Sequence, residues 1–292
     1  MIETRLAPRG PYSLAFSARL TSDATRTFRD GVFTAVLGDE LVRAMQAPDG
    51  TIHVRAATEQ GVERLRWLLA LDDDHSEFLR AVRSDPFLGP ASRLLRGLRP
   101  VRLSTVAQSL LRAFCGQLIE AKRARRLEQT IIRTICAPFA ENLHAAPTTR
   151  DLAALAPSQL RAMGLHARRA APLVRLCRTV ELERLHGVPT DVVAARLGHE
   201  RGLGPWSIGV VCLEGLGRYD HGLVGDLSLV KLQAALTGRW ADGPETAALL
   251  APYEEWQGLA GELLVLGWAR GLVPGASPDL ARVARRKARR AA

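Results

Sequence analysis

The chain is 292 residues long, enough to bury one large core or two to three smaller ones, and its 47% hydrophobic and 24% charged residues exclude a disordered or fibrous protein. No run of about twenty apolar residues occurs and Met1-Ile2-Glu3-Thr4-Arg5 does not open a signal peptide, so no membrane association and a cytoplasmic location are expected. A formal net charge of +10 favours a polyanionic partner; with 40 Lys+Arg and the lysines limited to Lys122, Lys231 and Lys287, the arginine excess reads as a composition habit rather than a recognition code.

In chain order, residues 12–20 alternate, Tyr12, Leu14, Phe16, Ala18 and Leu20 against Ser13, Ser17 and Arg19, which predicts a half-buried strand. Val32 to Leu37 predicts a second strand, and Pro48-Asp49-Gly50 a turn into a third at Thr51-Ile52-His53-Val54-Arg55. Val62, Leu65, Leu68 and Leu69 carry helical spacing and predict a helix covering this sheet. Asp72-Asp73-Asp74 reads as a solvated turn, since no further acids cluster with it. From Ser76 onward the periodicity is helical, with breaks at Asp85-Pro86, residues 97–100, Pro147, Pro157, residues 187–189 and Gly243-Pro244.

The pattern is therefore α+β: an N-terminal antiparallel sheet with a covering helix over residues 1–75, then a mostly α-helical body over 76–280. Arg282, Arg285, Arg286, Lys287, Arg289 and Arg290 crowd residues 281–292, expected to be a mobile basic tail. Cys115, Cys136, Cys177 and Cys212 are widely spaced within apolar segments, as buried thiols of a reducing compartment are, and no metal site is expected from them.

The body centres on Arg201-Gly202-Leu203-Gly204-Pro205-Trp206-Ser207. Apolar residues at helical spacing flank it, Val192, Val193, Ala195 and Leu197 before and Ile208, Val211, Cys212 and Leu213 after, so residues 190–216 read as helix, tight hairpin, helix. Gly202 and Gly204 permit torsions closed to other residues, and Pro205 suits a first helical position, which leaves bare N–H groups beside a helix start able to hold a phosphate. Asp226 precedes the stripe Leu227, Leu229, Val230, Leu232 and Leu236, so it stands at a helix N-cap, where the helix dipole favours its ionised form.

Gly202-Leu203-Gly204-Pro205-Trp206-Ser207, Gly217-Arg218 and Gly225-Asp226-Leu227 resemble the signature of the helix-hairpin-helix DNA glycosylases, and the hairpin Trp resembles the 3-methyladenine DNA glycosylase II branch. Cys115-Gly116-Gln117-Leu118 and Leu160-Arg161-Ala162-Met163-Gly164-Leu165 extend the likeness upstream. The resemblance implies a DNA repair enzyme, nucleoid-associated and monomeric, that flips a damaged base out of duplex DNA. Gly202, Leu203, Gly204, Trp206 and Ser207 would then hold the DNA backbone. Gln117 and Leu118 would fill the vacated stack with Leu118 as the wedge, Trp206 and Tyr219 would line the base pocket, and Asp226 would be the catalytic carboxylate. Relatives hold a monovalent ion on hairpin carbonyls, and no other cofactor or metal is implied.

Cleaving an N-glycosidic bond builds positive charge on the sugar, which one carboxylate can stabilise. An alkylated purine already carries positive charge and leaves neutral, so the lone carboxylate candidate suits 3-methyladenine or 7-methylguanine better than a normal base. Trp206 stands where strand-nicking relatives carry a lysine nucleophile, so a monofunctional enzyme leaving an abasic site is expected. Ile208, Gly222-Leu223 and Glu262-Leu263-Leu264 depart from the family pattern and leave a glycosylase for deaminated or oxidised bases open. A noncatalytic helix-hairpin-helix DNA-binding protein is the other alternative, which the presence of Asp226 disfavours. A dinucleotide site at Gly202-x-Gly204 fails because a helical pattern precedes it and Ser207 stands at the third glycine.

Overall fold

The computed structural model describes residues 1–117 and 119–291. Strands β1 (Ile2–Leu6), β2 (Arg26–Arg29), β3 (Val32–Leu37), β4 (Glu40–Gln46) and β5 (Ile52–Ala56) form one antiparallel sheet in the order β1-β5-β4-β3-β2. Helices α1 (Leu14–Ala18) and α2 (Glu59–Leu68) accompany it; α3 (Ser76–Ala81) and α4 (Gly89–Leu94) follow. Next come α5 (Val106–Gly116), α6 (Ala121–Ile135), α7 (Thr149–Ala153), α8 (Pro157–Ala162), α9 (Ala167–Thr179), α10 (Thr190–Gly198) and α11 (Pro205–Val210). The chain ends through α12 (Leu227–Thr237), α13 (Thr246–Leu250), α14 (Gln257–Ala269) and α15 (Pro278–Ala291). The α+β class and the covering helix expected from the sequence are both present.

The chain forms two compact units, one of Met1–Asp73 with Gly97–Gly217 and one of Asp74–Arg96 with Arg218–Ala292. A division into 1–75 and 76–280 does not coincide with them, because residues 97–217 pack with the sheet. Arg26 shows why: on β2, it donates from its guanidinium to the carbonyl of Arg102 and is itself fully buried.

In the first unit the inner sheet face, with Phe33, Val42, Ala44, Ile52 and Val54, packs on Val62, Leu65 and Leu68 of α2. The expected strand at 12–20 is instead α1. Ser13 caps it by accepting from the Phe16 N–H at 3.3 Å, and burial falls at Leu14, Ser17 and Ala18, the helical spacing, while Leu20 is left 71% exposed. The alternation of apolar residues was real, but a side-chain cap decided the backbone.

Helix α5 is the axis of the first unit's helical part, with every residue from Val106 to Cys115 buried. Leu110, Leu111 and Phe114 pack with Leu173 of α9, Leu197 of α10 and Ile208 of α11. All four cysteines are free and buried in this core. Charged residues are buried beside it too, centred on Arg112. Its guanidinium meets both Glu128 carboxylate oxygens at 3.1 Å, Asp23 Oδ2 at 2.7 Å and a carboxylate oxygen of Glu214. Burial disfavours the Arg112 charge, but Glu128, Glu214 and Asp23 outweigh it and hold its pKa well above the ordinary value.

In the second unit α12 packs against α14 and α15, and α4 against α14. The segment expected as a mobile tail is helix α15 up to Ala291, docked on α12 with Ala281 3% and Ala284 1% exposed. Small residues every three positions give the basic helix a flat side that can dock, and the Arg285 guanidinium lies 5.5 Å from the Trp240 ring centre. Of the three aspartates expected as a solvated turn, Asp72 and Asp74 are exposed, Asp72 pairing with Arg66 at 3.1 Å and Asp74 accepting from the Ser76 N–H at 2.9 Å, but Asp73 is drawn inward to the buried Arg102 at 2.6 Å. Among the described residues no helix is long and apolar enough to cross a membrane, and no His, Cys, Asp and Glu side chains group as metal ligands.

Candidate nucleic-acid interface and catalytic carboxylate

The hairpin lies in the first unit between α10 and α11. Gly202 has φ +102°, closed to other residues, and Pro205 opens α11. Gly204 differs from the expectation: its φ of −91° and ψ of 176° are ordinary extended values at the helix N-cap. Its lack of a side chain leaves open space, since nothing lies within 4 Å of where a Cβ would stand. The row of bare N–H groups is also shorter than expected, because that of Leu203 is taken by the Glu200 carbonyl at 3.0 Å and the Leu203 side chain is buried in the core.

Four of the residues singled out in the sequence come together here. Gln117, just past the end of α5, donates from Nε2 to the Gly202 carbonyl at 2.7 Å and to Ser207 Oγ at 3.0 Å. The Ser207 hydroxyl is buried, so the amide gives it a partner that solvent does not. Trp206 is half-buried with its ring over Gly116, where an added Cβ would stand 2.4 Å from Trp206 Cη2. Leu118, expected as the wedge, lies outside the described residues.

Helix α11 continues into a wider turn over Val211–Gly215, with hydrogen bonds reaching one residue further than in an α-helix. The turn carries Glu214 to Arg112 and its backbone carbonyl to the Leu103 N–H at 2.7 Å. Sequence reasoning missed this anchor, because a lone Arg and Glu in apolar helices give no pairing signal across 102 positions.

Asp226 lies in the second unit as the N-cap of α12, half-buried, its Oδ1 accepting from the Ser228 N–H at 2.7 Å. Gly225 before it has φ +86° and donates its N–H to Thr246 Oγ1 at 2.7 Å. Thr246 is completely buried and donates to the Gly243 carbonyl at 2.6 Å, so one hydroxyl fixes the loop that carries the carboxylate. Nothing in the sequence flagged Thr246.

Tyr219 belongs to the same unit, in an aromatic cluster that the sequence did not reveal. Its ring meets His75 edge-on at 4.8 Å and stacks on Trp256 at 5.9 Å, and Trp256 lies 5.6 Å from Phe78. The Gly258 N–H donates to the Tyr219 carbonyl at 2.7 Å, tying the cluster to the start of α14.

No family model matches the chain. Among solved structures it is similar to the 3-methyladenine DNA glycosylase from Archaeoglobus fulgidus, with a TM-score of 0.80 at 19% identity over 91% of this chain and 98% of that one. It is also similar to the 8-oxoguanine glycosylase/lyase of Clostridium acetobutylicum bound to double-stranded DNA, with a TM-score of 0.76 at 13% identity over 93% of this chain and 98% of that one. The fold is that of the helix-hairpin-helix DNA glycosylases. Among curated proteins, this glycosylase-fold chain is 25% identical over 279 residues to the probable bifunctional transcriptional activator/DNA repair enzyme AlkA of Mycobacterium tuberculosis. That alignment takes in 89% of this chain and 55% of the relative, so the chain spans about half the length of the curated relatives it matches. The match agrees with the 3-methyladenine DNA glycosylase II-like resemblance read from the hairpin Trp206.

Proposed function

We propose that the chain is a monofunctional DNA N-glycosylase that removes alkylated purines of the 3-methyladenine or 7-methylguanine type from duplex DNA and leaves an abasic site. The observation that carries this is Asp226, a carboxylate fixed at the N-cap of α12 by the Ser228 N–H at 2.7 Å, in a fold shared with DNA glycosylases.

The hairpin around Gly202 and Gly204 holds the DNA backbone while the damaged nucleotide leaves the stack. The bond between the sugar C1′ and the base nitrogen breaks, and its electron pair leaves with the base, which becomes neutral because it was cationic. Asp226 stabilises the positive sugar; water then bonds C1′, and its proton passes to Asp226 or solvent. Since the leaving base needs no proton, one carboxylate suffices. Trp206 in place of a hairpin lysine supports hydrolysis without a Schiff base.

The test is duplex DNA treated with a methylating agent, with released bases resolved by chromatography and a parallel borohydride trap. Release of 3-methyladenine or 7-methylguanine with no trapped protein–DNA adduct is expected. Release of only deaminated or oxidised bases would move the substrate class, and a trapped adduct would end the monofunctional assignment.

A further inference from the structure

Helix α6 carries a charge pattern that its own fold does not need. Its first six residues, Ala121-Lys122-Arg123-Ala124-Arg125-Arg126, hold four cations and no acid, at the helix end where the dipole is positive. Its N-cap, Glu120, makes no side-chain cap hydrogen bond. Lys122 and Arg126 stand four residues apart and Arg123 and Arg126 three apart, spacings at which like charges repel. Both effects oppose folding.

The axial rotation of α6 is fixed from inside. Ala124, Glu128, Ile131 and Ile132 are its buried residues, and Glu128 is locked to Arg112 of α5 by two 3.1 Å contacts. Arg125 is drawn inward too, 3.9 Å from Asp23. That leaves Lys122, Arg126 and Arg133 within about 40° of one another on the opposite face, along about 16 Å of helix, with Arg123 beside them. All four are exposed, and none has an ion pair or hydrogen bond among the described residues.

This face begins close to the hairpin. Gln117 touches Gly202 and Ser207, and Lys122 stands only five positions further along the chain, a reach of at most about 18 Å. DNA rises about 3.4 Å per phosphate along one strand, so such a reach covers about five nucleotide steps.

We propose that the outward face of α6, formed by Lys122, Arg123, Arg126 and Arg133, is a second backbone-binding surface for duplex DNA beside the hairpin. This rests on the DNA glycosylase reading, because it takes duplex DNA as the partner. Phosphates neutralise cations that repel one another in the free protein, and counterion release supplies the driving force. The surface reads no sequence; it holds a duplex of any composition while the hairpin and the pocket engage a lesion.

The test compares the wild type with the Lys122→Gln, Arg123→Gln, Arg126→Gln, Arg133→Gln variant, measuring affinity for undamaged duplex DNA against salt concentration. Each lost phosphate contact lowers the steepness of log K against log salt by about 0.9, so the variant is expected to flatten it by roughly 2 to 4 and to bind more weakly at low salt. Its thermal midpoint is expected at or above that of the wild type, since repulsion at the helix start is removed. A variant that keeps the wild-type affinity and salt slope overturns the proposal, and so does one that loses DNA binding together with its thermal midpoint. If the wild type itself neither binds duplex DNA nor releases methylated bases, the glycosylase reading fails and takes this one with it. If the wild type does both while the variant matches it in binding, only the α6 surface is refuted.

Discussion

Gln117 and Gly202 are 85 positions apart in the chain, yet the side-chain amide of the first donates to the backbone carbonyl of the second at 2.7 Å. That bond, with its companion to Ser207, ties the end of α5 to the hairpin that the DNA-binding proposal depends on. One of the hairpin carbonyls is thereby already engaged by a donor of the protein itself.

Removing that donor is expected to loosen the hairpin without unfolding the unit. Gln117→Ala should cost about 0.5–1.5 kcal/mol in urea unfolding and weaken duplex DNA binding. Gln117→Glu should cost more at neutral pH, since a carboxylate there faces two oxygens and cannot donate. The deficit should shrink as the pH falls and the new carboxyl gains a proton. A Gln117→Glu protein as stable as the wild type at pH 7 would contradict the assignment.

Gly116 makes room for Trp206. In Gly116→Ala the new methyl would stand 2.4 Å from Trp206 Cη2, so the ring must move, at a cost of about 1–3 kcal/mol and with a change in tryptophan fluorescence. Trp206→Leu removes the clash, and the double variant should show a coupling well above the roughly 0.5 kcal/mol of independent sites. Additive effects would mean that the two residues do not meet.

The buried charges around Arg112 set an acid limb to stability. Burial alone would raise the Asp23 pKa, but Arg26, Arg112, the Thr25 N–H and Arg125 together bring it below the ordinary carboxylate value. A lowered folded-state pKa stabilises fully above the unfolded value of about 3.9 and is lost as the pH falls through the folded value. Asp23→Asn should therefore be destabilised relative to the wild type most strongly above about pH 4, with the gap closing at lower pH. Glu128 works in the opposite direction, because burial outweighs Arg112 and raises its pKa. Arg112→Met, which strands three carboxylates, should cost about 3–5 kcal/mol near neutral pH. Stability measured from pH 7 to pH 3 separates these contributions.

Thr246 is expected to act through Asp226 as a positioning residue. Thr246→Val leaves the Gly225 N–H without its acceptor and should cost about 1–3 kcal/mol while slowing base release in single turnover at saturating enzyme. Thr246→Ser keeps the hydroxyl and should restore the rate. Recovery of stability without recovery of rate would remove Thr246 from the account of the site.

The hairpin was legible because glycine and proline leave local marks: Gly202 needs its positive φ and Pro205 marks the helix start. The sheet was half legible. β3 and β5 are runs of strand formers, whereas β1, Ile2–Leu6, and β4, Glu40–Gln46, set polar Thr4, Glu40 and Gln46 on the inner face, and β4 sets apolar Leu41 and Met45 on the outer one, which hides the period. Residues 12–20 misled because one Ser13 cap outweighs an alternation of apolar side chains. The Arg112 cluster, the Thr246 hydroxyl and the His75, Tyr219 and Trp256 rings were not legible, since they join residues distant in sequence through contacts that leave no periodic trace. The basic C-terminal segment looked like a free tail because its charges outnumber the two alanines that dock it.

The most direct test of the central claim is single-turnover release of 3-methyladenine from methylated duplex DNA, wild type beside Asp226→Asn, with DNA affinity measured on the same proteins. Asparagine also caps a helix, so α12 and DNA binding should survive, while release should fall by about two to three orders of magnitude. An Asp226→Asn protein that releases the base at the wild-type rate would contradict the role given to this carboxylate and the mechanism built on it.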